Sequence, residues 1–302
     1  MGLSGQVPLR PRVWLYASFA THPGGGNAAG VVASAEPVPA WAAQSVAALL
    51  CVPTTGFVVI DGDAAAGSAD VRFFTPEREI DACGHVTIAI ATALADCGTW
   101  RWGGDAVLRA RGGRFPLRLR EGRVEMDQRL QALEAADVGW GDVRAALGPV
   151  RAHPRLPIAA VATGLRHLIV PAADAAALGE LALEKDRITA LAERSGADTV
   201  CVWAREGRNR FRLRDLCARI GALEEPASGT TCGALGLYLA RNGQLDGRSV
   251  TIDQGVEMGR PCRIEVVVTP PGAVTVRGEA RRVLAGTLDL PPASTPRHRD
   301  QS

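Results

Sequence analysis

Two stretches of this chain limit what it can fold into. Ile88 to Ala95 is an unbroken run of small and apolar residues that follows Cys83-Gly84-His85-Val86-Thr87. Cys232 to Ala240 has the same character and follows Ser228-Gly229-Thr230-Thr231. Neither run carries a charge on any side. A helix that is apolar all round is surrounded by protein rather than laid on a surface. Its Ala and Gly side chains let strands pack close against it. The expectation is an α/β (α+β) fold of two pseudo-symmetric halves, each a central apolar helix wrapped by a strongly bent, barrel-like β-sheet. The two helix N-termini would then face each other across a cleft between the halves.

The segments around these runs supply the strands. Val13 to Phe19, Gly56 to Ile60 and Val71 to Phe74 read as strands, and Pro39 to Leu50 as a helix with Pro near its start. Asp61 to Asp70 reads as a small-residue turn, and the first central helix stops at Gly98. Ala106–Ala110, Phe115–Leu119 and Val124–Met126 alternate and are split by Gly112-Gly113 and Glu121-Gly122. Gln128 to Ala136 leads into a helix over Val138 to Leu147. A similar succession follows: strands around Thr163-Gly164, a broadly helical Ala172 to Ser195, and strands Thr199–Trp203 and Asn209–Arg214. After the second central helix, ended by Asn242-Gly243, come strands at Ser249–Ile252, Cys262–Thr269, Ala273–Val276 and Arg282–Leu290.

Composition excludes several functions. Net charge is +2, with 34 basic and 32 acidic residues spread along the chain, so there is no basic face for nucleic acid. No window approaches the roughly 18 apolar residues of a membrane span, and the N-terminus lacks a signal-peptide core. The seven cysteines are scattered and never form Cys-x-x-Cys, which argues against a disulfide framework or a structural zinc site. A cytoplasmic protein is expected. The glycines of Thr21 to Gly30 lack the pattern of a phosphate-binding loop and read as a turn bringing backbone close to something.

Five separated motifs carry a resemblance. Gly26-Asn27-Ala28-Ala29-Gly30-Val31-Val32, Phe73-Phe74-Thr75-Pro76 through Cys83-Gly84-His85-Val86-Thr87, Glu224-Glu225-Pro226-Ala227-Ser228-Gly229, Gln254-Gly255 through Met258-Gly259-Arg260-Pro261, and Gly278-Glu279-Ala280 occur in order. Together they resemble the PhzF-like (phenazine biosynthesis-like) family, over about residues 13 to 290. The resemblance implies the fold of diaminopimelate epimerase and proline racemase, with the last strand returning to the first half. The halves would be 12–130 plus 282–290 and 131–281, with 1–11 and 291–302 as flexible tails. It also implies a cofactor-independent isomerase and a homodimer. The proton shift would act on a small carboxylate-bearing intermediate, in natural-product biosynthesis. Implied site residues are His85, Glu225 where relatives carry Asp, Ser228 where they carry Thr, and Thr54 where they carry a glutamate. Threonine cannot exchange a proton near neutrality, so Thr54 puts the family's proton shuttle in question.

Chemically, moving a proton beside a carboxylate needs a tunable acid–base group and donors for the developing charge. His85 and Glu225 are the candidate proton carriers. Cys83, at a helix start, is a candidate thiolate, and Thr54 completes the catalytic set. Asn27, Gly84, Ser228, Gly229 and Thr230 are the candidate substrate contacts, with N–H groups at two helix starts forming an anion site. Two alternatives stay open: a cysteine-assisted racemase, epimerase or dehydratase of a small amino or imino acid, and a catalytically altered cleft that only binds or positions a substrate for cyclisation. Gly255, Gly259 and Arg260 read as a structural turn, and His22, His153 and His167 as uninvolved.

Overall fold

The computed structural model describes residues 10–128, 132–269 and 272–289. The chain opens on β1 (Arg12–Ser18) and β2 (Asn27–Ser34), an antiparallel pair. After α1 (Ala40–Leu50), β3 (Thr54–Val59) runs parallel to β2. The segment read as a turn is instead a short helix, α2 (Gly62–Ala65), followed by the start of β4 (Ser68–Phe74). Asp61 nucleates that helix by accepting from the Ala64 N–H. The two-residue β5 (Glu79–Ile80) pairs with β4 and leads into the first central helix, α3 (Gly84–Asp96). β6 (Asp105–Ala110), β7 (Gly113–Arg120) and β8 (Arg123–Gln128) complete this run.

The same order then recurs. The residues leading into the next helix form β9 (Ala132–Ala135), because Ala159 to Ala162 offers them a ladder. α4 (Trp140–Leu147) precedes β10 (Ala159–Ala162) and β11 (Arg166–Pro171). The stretch expected to be broadly helical is two helices, α5 (Ala176–Gly179) and the amphipathic α6 (Lys185–Arg194). Next come β12 (Thr199–Gly207), β13 (Arg210–Leu216), the two-residue β14 (Glu224–Glu225) and the second central helix, α7 (Gly229–Arg241). β15 (Ser249–Gln254), β16 (Cys262–Thr269), β17 (Ala273–Gly278) and β18 (Ala280–Thr287) end the described chain. Leu290 and the expected tails at 1–9 and 291–302 lie outside the described residues. Pro11, expected to be loose, is buried and accepts from the Leu288 N–H.

One curled, unclosed sheet results. Its strands run β18–β1–β2–β3–β4–β6–β7–β8, cross to β17, and continue β16–β15–β13–β12–β11–β10–β9. Each half has the same two parallel steps, β2–β3 and β4–β6 against β11–β12 and β13–β15. Alternation along each strand sends one set of side chains to each face. Inner-face residues such as Tyr16, Val31, Phe73, Leu108, Trp203 and Ile252 close around α3 and α7 in a single core. Outer-face Val13, Val32 and Phe57 pack under α1, and Val170, Val200 and Val202 pack under α4 to α6. His85 to Ala95 of α3 are all buried, as the uncharged sequence requires. No helix among the described residues is long and apolar enough to cross a membrane.

The β1–β2 loop ties the halves together. Phe19 holds a left-handed φ of 63°. Its N–H donates to Glu279 O at 2.7 Å, and its carbonyl accepts from Arg263 N–H at 2.8 Å. A side chain at Gly25 would meet the Pro261 carbonyl at 2.6 Å, so the glycine-rich turn does bring backbone into close contact, here with the other half.

Candidate active site

α3 begins with Cys83 as its N-cap in extended conformation, so the N–H groups of the first turn open toward the other half. His85 sits in that turn, 9 % exposed, with its carbonyl accepting from the Ser18 hydroxyl at 2.7 Å. The Cys83 sulfur lies 3.4 Å from His85 Nδ1 and within hydrogen-bond reach of the Thr54 hydroxyl at the start of β3. Thr54 is buried, and its neighbour Thr55 has a buried hydroxyl with no partner among the described residues.

The second half presents the matching end. Ser228 caps α7 by accepting from the Thr231 N–H, and its hydroxyl lies 3.1 Å from that of Thr230. Glu225 ends β14 three residues earlier. Gln254 holds this loop by two bonds: Nε2 donates to the Glu225 carbonyl at 2.7 Å, and Oε1 accepts from Ser228 N–H at 3.1 Å.

Three side chains join the two ends. Asn27, fully buried at the start of β2, donates through Nδ2 to Glu225 Oε2 and to Ala227 O, both at 2.9 Å. Gln128, at the end of β8, donates to Gly229 O at 2.8 Å. Arg260 donates to Gly26 O at 2.9 Å, and its charge reaches both His85 and Glu225.

Burial dominates the protonation of these groups. It pushes Glu225 above the usual carboxylate range, against the pull of His85, the Asn27 bond and Arg260; the nearby Asp215 adds to the rise. It pushes His85 below the ordinary imidazole value, opposed by the Glu225 charge and the Ala28 backbone. The Cys83 thiol is pushed up to about 11 by burial, with Thr54 and the Val86 backbone pulling it back only in part. A carboxyl whose proton affinity is raised by burial and an imidazole whose proton affinity is lowered by it thus lie within electrostatic reach of one another, beside two helix N-termini.

The sequence profile of the phenazine biosynthesis-like protein family matches residues 16–286. The chain belongs to that family. It is 40 % identical to an uncharacterized isomerase of Deinococcus radiodurans over 85 % of this chain and 86 % of the relative. It is 31 % identical to a trans-2,3-dihydro-3-hydroxyanthranilate isomerase of Pseudomonas chlororaphis, covering 81 % and 85 % of the two chains. Among solved structures, a Bacillus anthracis phenazine biosynthesis protein of the PhzF family superposes with TM-score 0.81 at 22 % identity, over 92 % of this chain and 99 % of that one. A hydroxyproline epimerase from Agrobacterium vitis shares the fold more distantly, with TM-score 0.58 at 13 % identity over 93 % and 94 %. The chain is therefore a phenazine biosynthesis-like isomerase with the two-half architecture of the racemase-type fold.

In this isomerase Asn27 bonds Glu225, Cys83 lies against His85 and Thr54, and Ser228 against Thr230, with Gly84 and Gly229 as the first residues of α3 and α7. Three residues set aside or passed over in the sequence belong with them. Arg260 is more than a turn residue, because it spans the halves beside the carboxyl. Gln254 fixes the Glu225–Ser228 loop. His167 is fully buried, with Nδ1 2.8 Å from Thr199 Oγ1 and 3.3 Å from Thr231 Oγ1 and Nε2 2.9 Å from Thr163 Oγ1. Strand alternation was the available signal: Asp215 follows Phe211 and Leu213 on the inner face, as His167 precedes Ile169. His22 is exposed, and His153 accepts from its own loop's Arg155 and Leu156 N–H groups.

Proposed function

We propose that the chain shifts a proton on a small carboxylate-bearing molecule without a cofactor, with Glu225 as the acid–base group. The observation that carries this reading is the Asn27–Glu225 bond. It ties a largely buried carboxyl of raised proton affinity in one half to the other half, within electrostatic reach of His85. In the ionised form Glu225 takes a proton from a carbon of the substrate. The electron pair moves into the adjoining unsaturated system, and the proton returns at another carbon. The N–H groups at the starts of α3 and α7 hold the substrate carboxylate. Neutral His85 donates or accepts a hydrogen bond at the reacting face. A role in natural-product biosynthesis and a homodimeric assembly accompany this proposal through the family.

Thr54 keeps a second reading in view, a cleft that binds and positions its substrate, because no carboxyl stands there to share the proton work. Cys83 chemistry has less support. With its thiol at about 11, only about one molecule in ten thousand carries the thiolate at neutral pH.

The test is incubation with trans-2,3-dihydro-3-hydroxyanthranilate and a panel of other unsaturated carboxylates in deuterated water, followed by NMR. Deuterium uptake at carbon that disappears in Glu225→Gln supports the proposal. No uptake and no turnover across the panel counts against it. If Thr54→Glu then gained activity that the parent lacks, the positioning reading would replace it.

A further inference from the structure

Beneath the start of α7 lies a buried polar cluster that the proton shift itself does not use. Asp215, 1 % exposed on β13, accepts from the Thr231 hydroxyl through Oδ2 at 2.6 Å, while Oδ1 has no hydrogen-bond partner among the described residues. Thr231 Oγ1 is in turn 2.9 Å from Ser228 Oγ. A hydroxyl has one proton. With the Thr231 proton committed to Asp215, Thr231 can only accept in its pair with Ser228, so Asp215 limits where the Ser228 proton can go: inward to Thr231 or across to Thr230. Asp215 is also the direct antiparallel partner of Glu225 in the β13–β14 pair. Directly opposed residues place their side chains on the same face of the ladder, with Cβ atoms about 5 Å apart.

We propose that Asp215 is a positioning residue of the active site, acting on Glu225 across the β13–β14 pair and on the Ser228 hydroxyl through Thr231. The inference rests on the reading of Glu225 as the proton carrier. Its electrostatic side agrees with the geometry. Burial raises the Asp215 carboxyl to about 6, held there against its threonine donors, and its charge adds to the rise at Glu225. The groups that face Asp215 are few and mostly uncharged. They are Glu225 from β14, Cys201 from β12, Cys217 just past the end of β13 and Cys232 from α7, with His167 of β11 linked to it only through Thr231. All three thiols are held protonated by burial, and His167, pushed down to about 4, is neutral. Among the described residues no cation acts on the Asp215 charge, so Glu225 meets it across the strand pair. On the far side, His85 and Arg260 act on Glu225 in the opposite sense.

The experiment reads the Glu225 carboxyl directly. Protein carrying carboxyl 13C-labelled glutamate is titrated without substrate, and the Glu225 signal is assigned by its loss in Glu225→Gln. Asp215→Asn is expected to move the Glu225 midpoint to lower pH. Thr231→Val removes the donor that favours ionised Asp215, and is expected to move the midpoint the same way by less. Thr231→Ser, which retains the hydroxyl, is expected to leave it unchanged. An unmoved midpoint in folded Asp215→Asn overturns the proposal. If that variant does not fold, identical midpoints in Thr231→Val and Thr231→Ser overturn it instead. Because no substrate is present, failure of the proton-shift reading would appear in the deuterium experiment and leave this titration intact.

Discussion

The two halves share a ladder order but differ in what lies under their central helices. Matching them by strand register sets Ala29 against His167, Thr54 against Thr199, Phe73 against Asp215 and Ile80 against Glu225. The helix caps continue the match: Cys83 against Ser228, His85 against Thr230 and Val86 against Thr231. The first half therefore supports its helix start on alanine, phenylalanine and valine. The second supports its own on histidine, aspartate and threonine. One scaffold accepts either filling, so the polar filling is not needed to build the fold. Its buried carboxyl carries a desolvation cost, and it stands beside the only half that contributes a carboxyl to the site.

This contrast can be broken most severely by moving the aspartate across. Phe73→Asp would remove a fully buried ring and place a carboxyl where Ala29 and Val86 stand in place of the second half's histidine and Thr231. A loss of more than about 4 kcal/mol is expected in denaturant unfolding. A well-folded variant would show that the first half tolerates the polar filling. Next in size, Glu225→Gln is expected to lower deuterium exchange by about a thousandfold, while Ile80→Ala at the matching position stays within a few-fold.

A smaller effect sharpens the comparison through pH. Asp215 titrates at about 6 in the fold against an ordinary 3.8, so the folded chain holds that proton more tightly. Its stability contribution is intact below about pH 4 and is lost as pH rises to about 6, by about 3 kcal/mol. His167, brought down from 6.5 to about 4, loses a comparable amount as pH falls through the same window. The two slopes oppose in the parent chain. In Asp215→Asn only the histidine slope remains, and stability is expected to fall more steeply on acidification. Parallel pH profiles would refute the assignment. The smallest effect belongs to Cys83→Ala, for which activity within about tenfold of the parent is expected, because the thiol is overwhelmingly protonated at neutral pH.

Much of this was legible in the sequence because it is local. The uncharged runs at Ile88 and Cys232 announced buried helices, and the Gly-containing loops before them announced the two helix starts. What escaped was non-local. β9 is a strand because of a partner more than twenty residues away, and Ala-rich segments such as Ala172 to Ser195 read as helix whether or not a turn interrupts them. The Asn27–Glu225 bond joins residues 198 positions apart, and Asp215 with Thr231 and His167 forms no motif along the chain. Only the inward parity of Asp215 and His167 on apolar strands hinted at them.

The pairing of β1 with β18 has a consequence for how the molecule is assembled. Ser18 stands opposite Ala280, so the first strand to be made waits for nearly the last. Until then β1 has an unsatisfied edge, while β9 to β17 can already close around α7. The second half is thus the one able to finish first during synthesis, and such long-range closure is intrinsically slow. A chain cut short before Ala280 would retain β1 as an open apolar edge, available to a strand from another molecule.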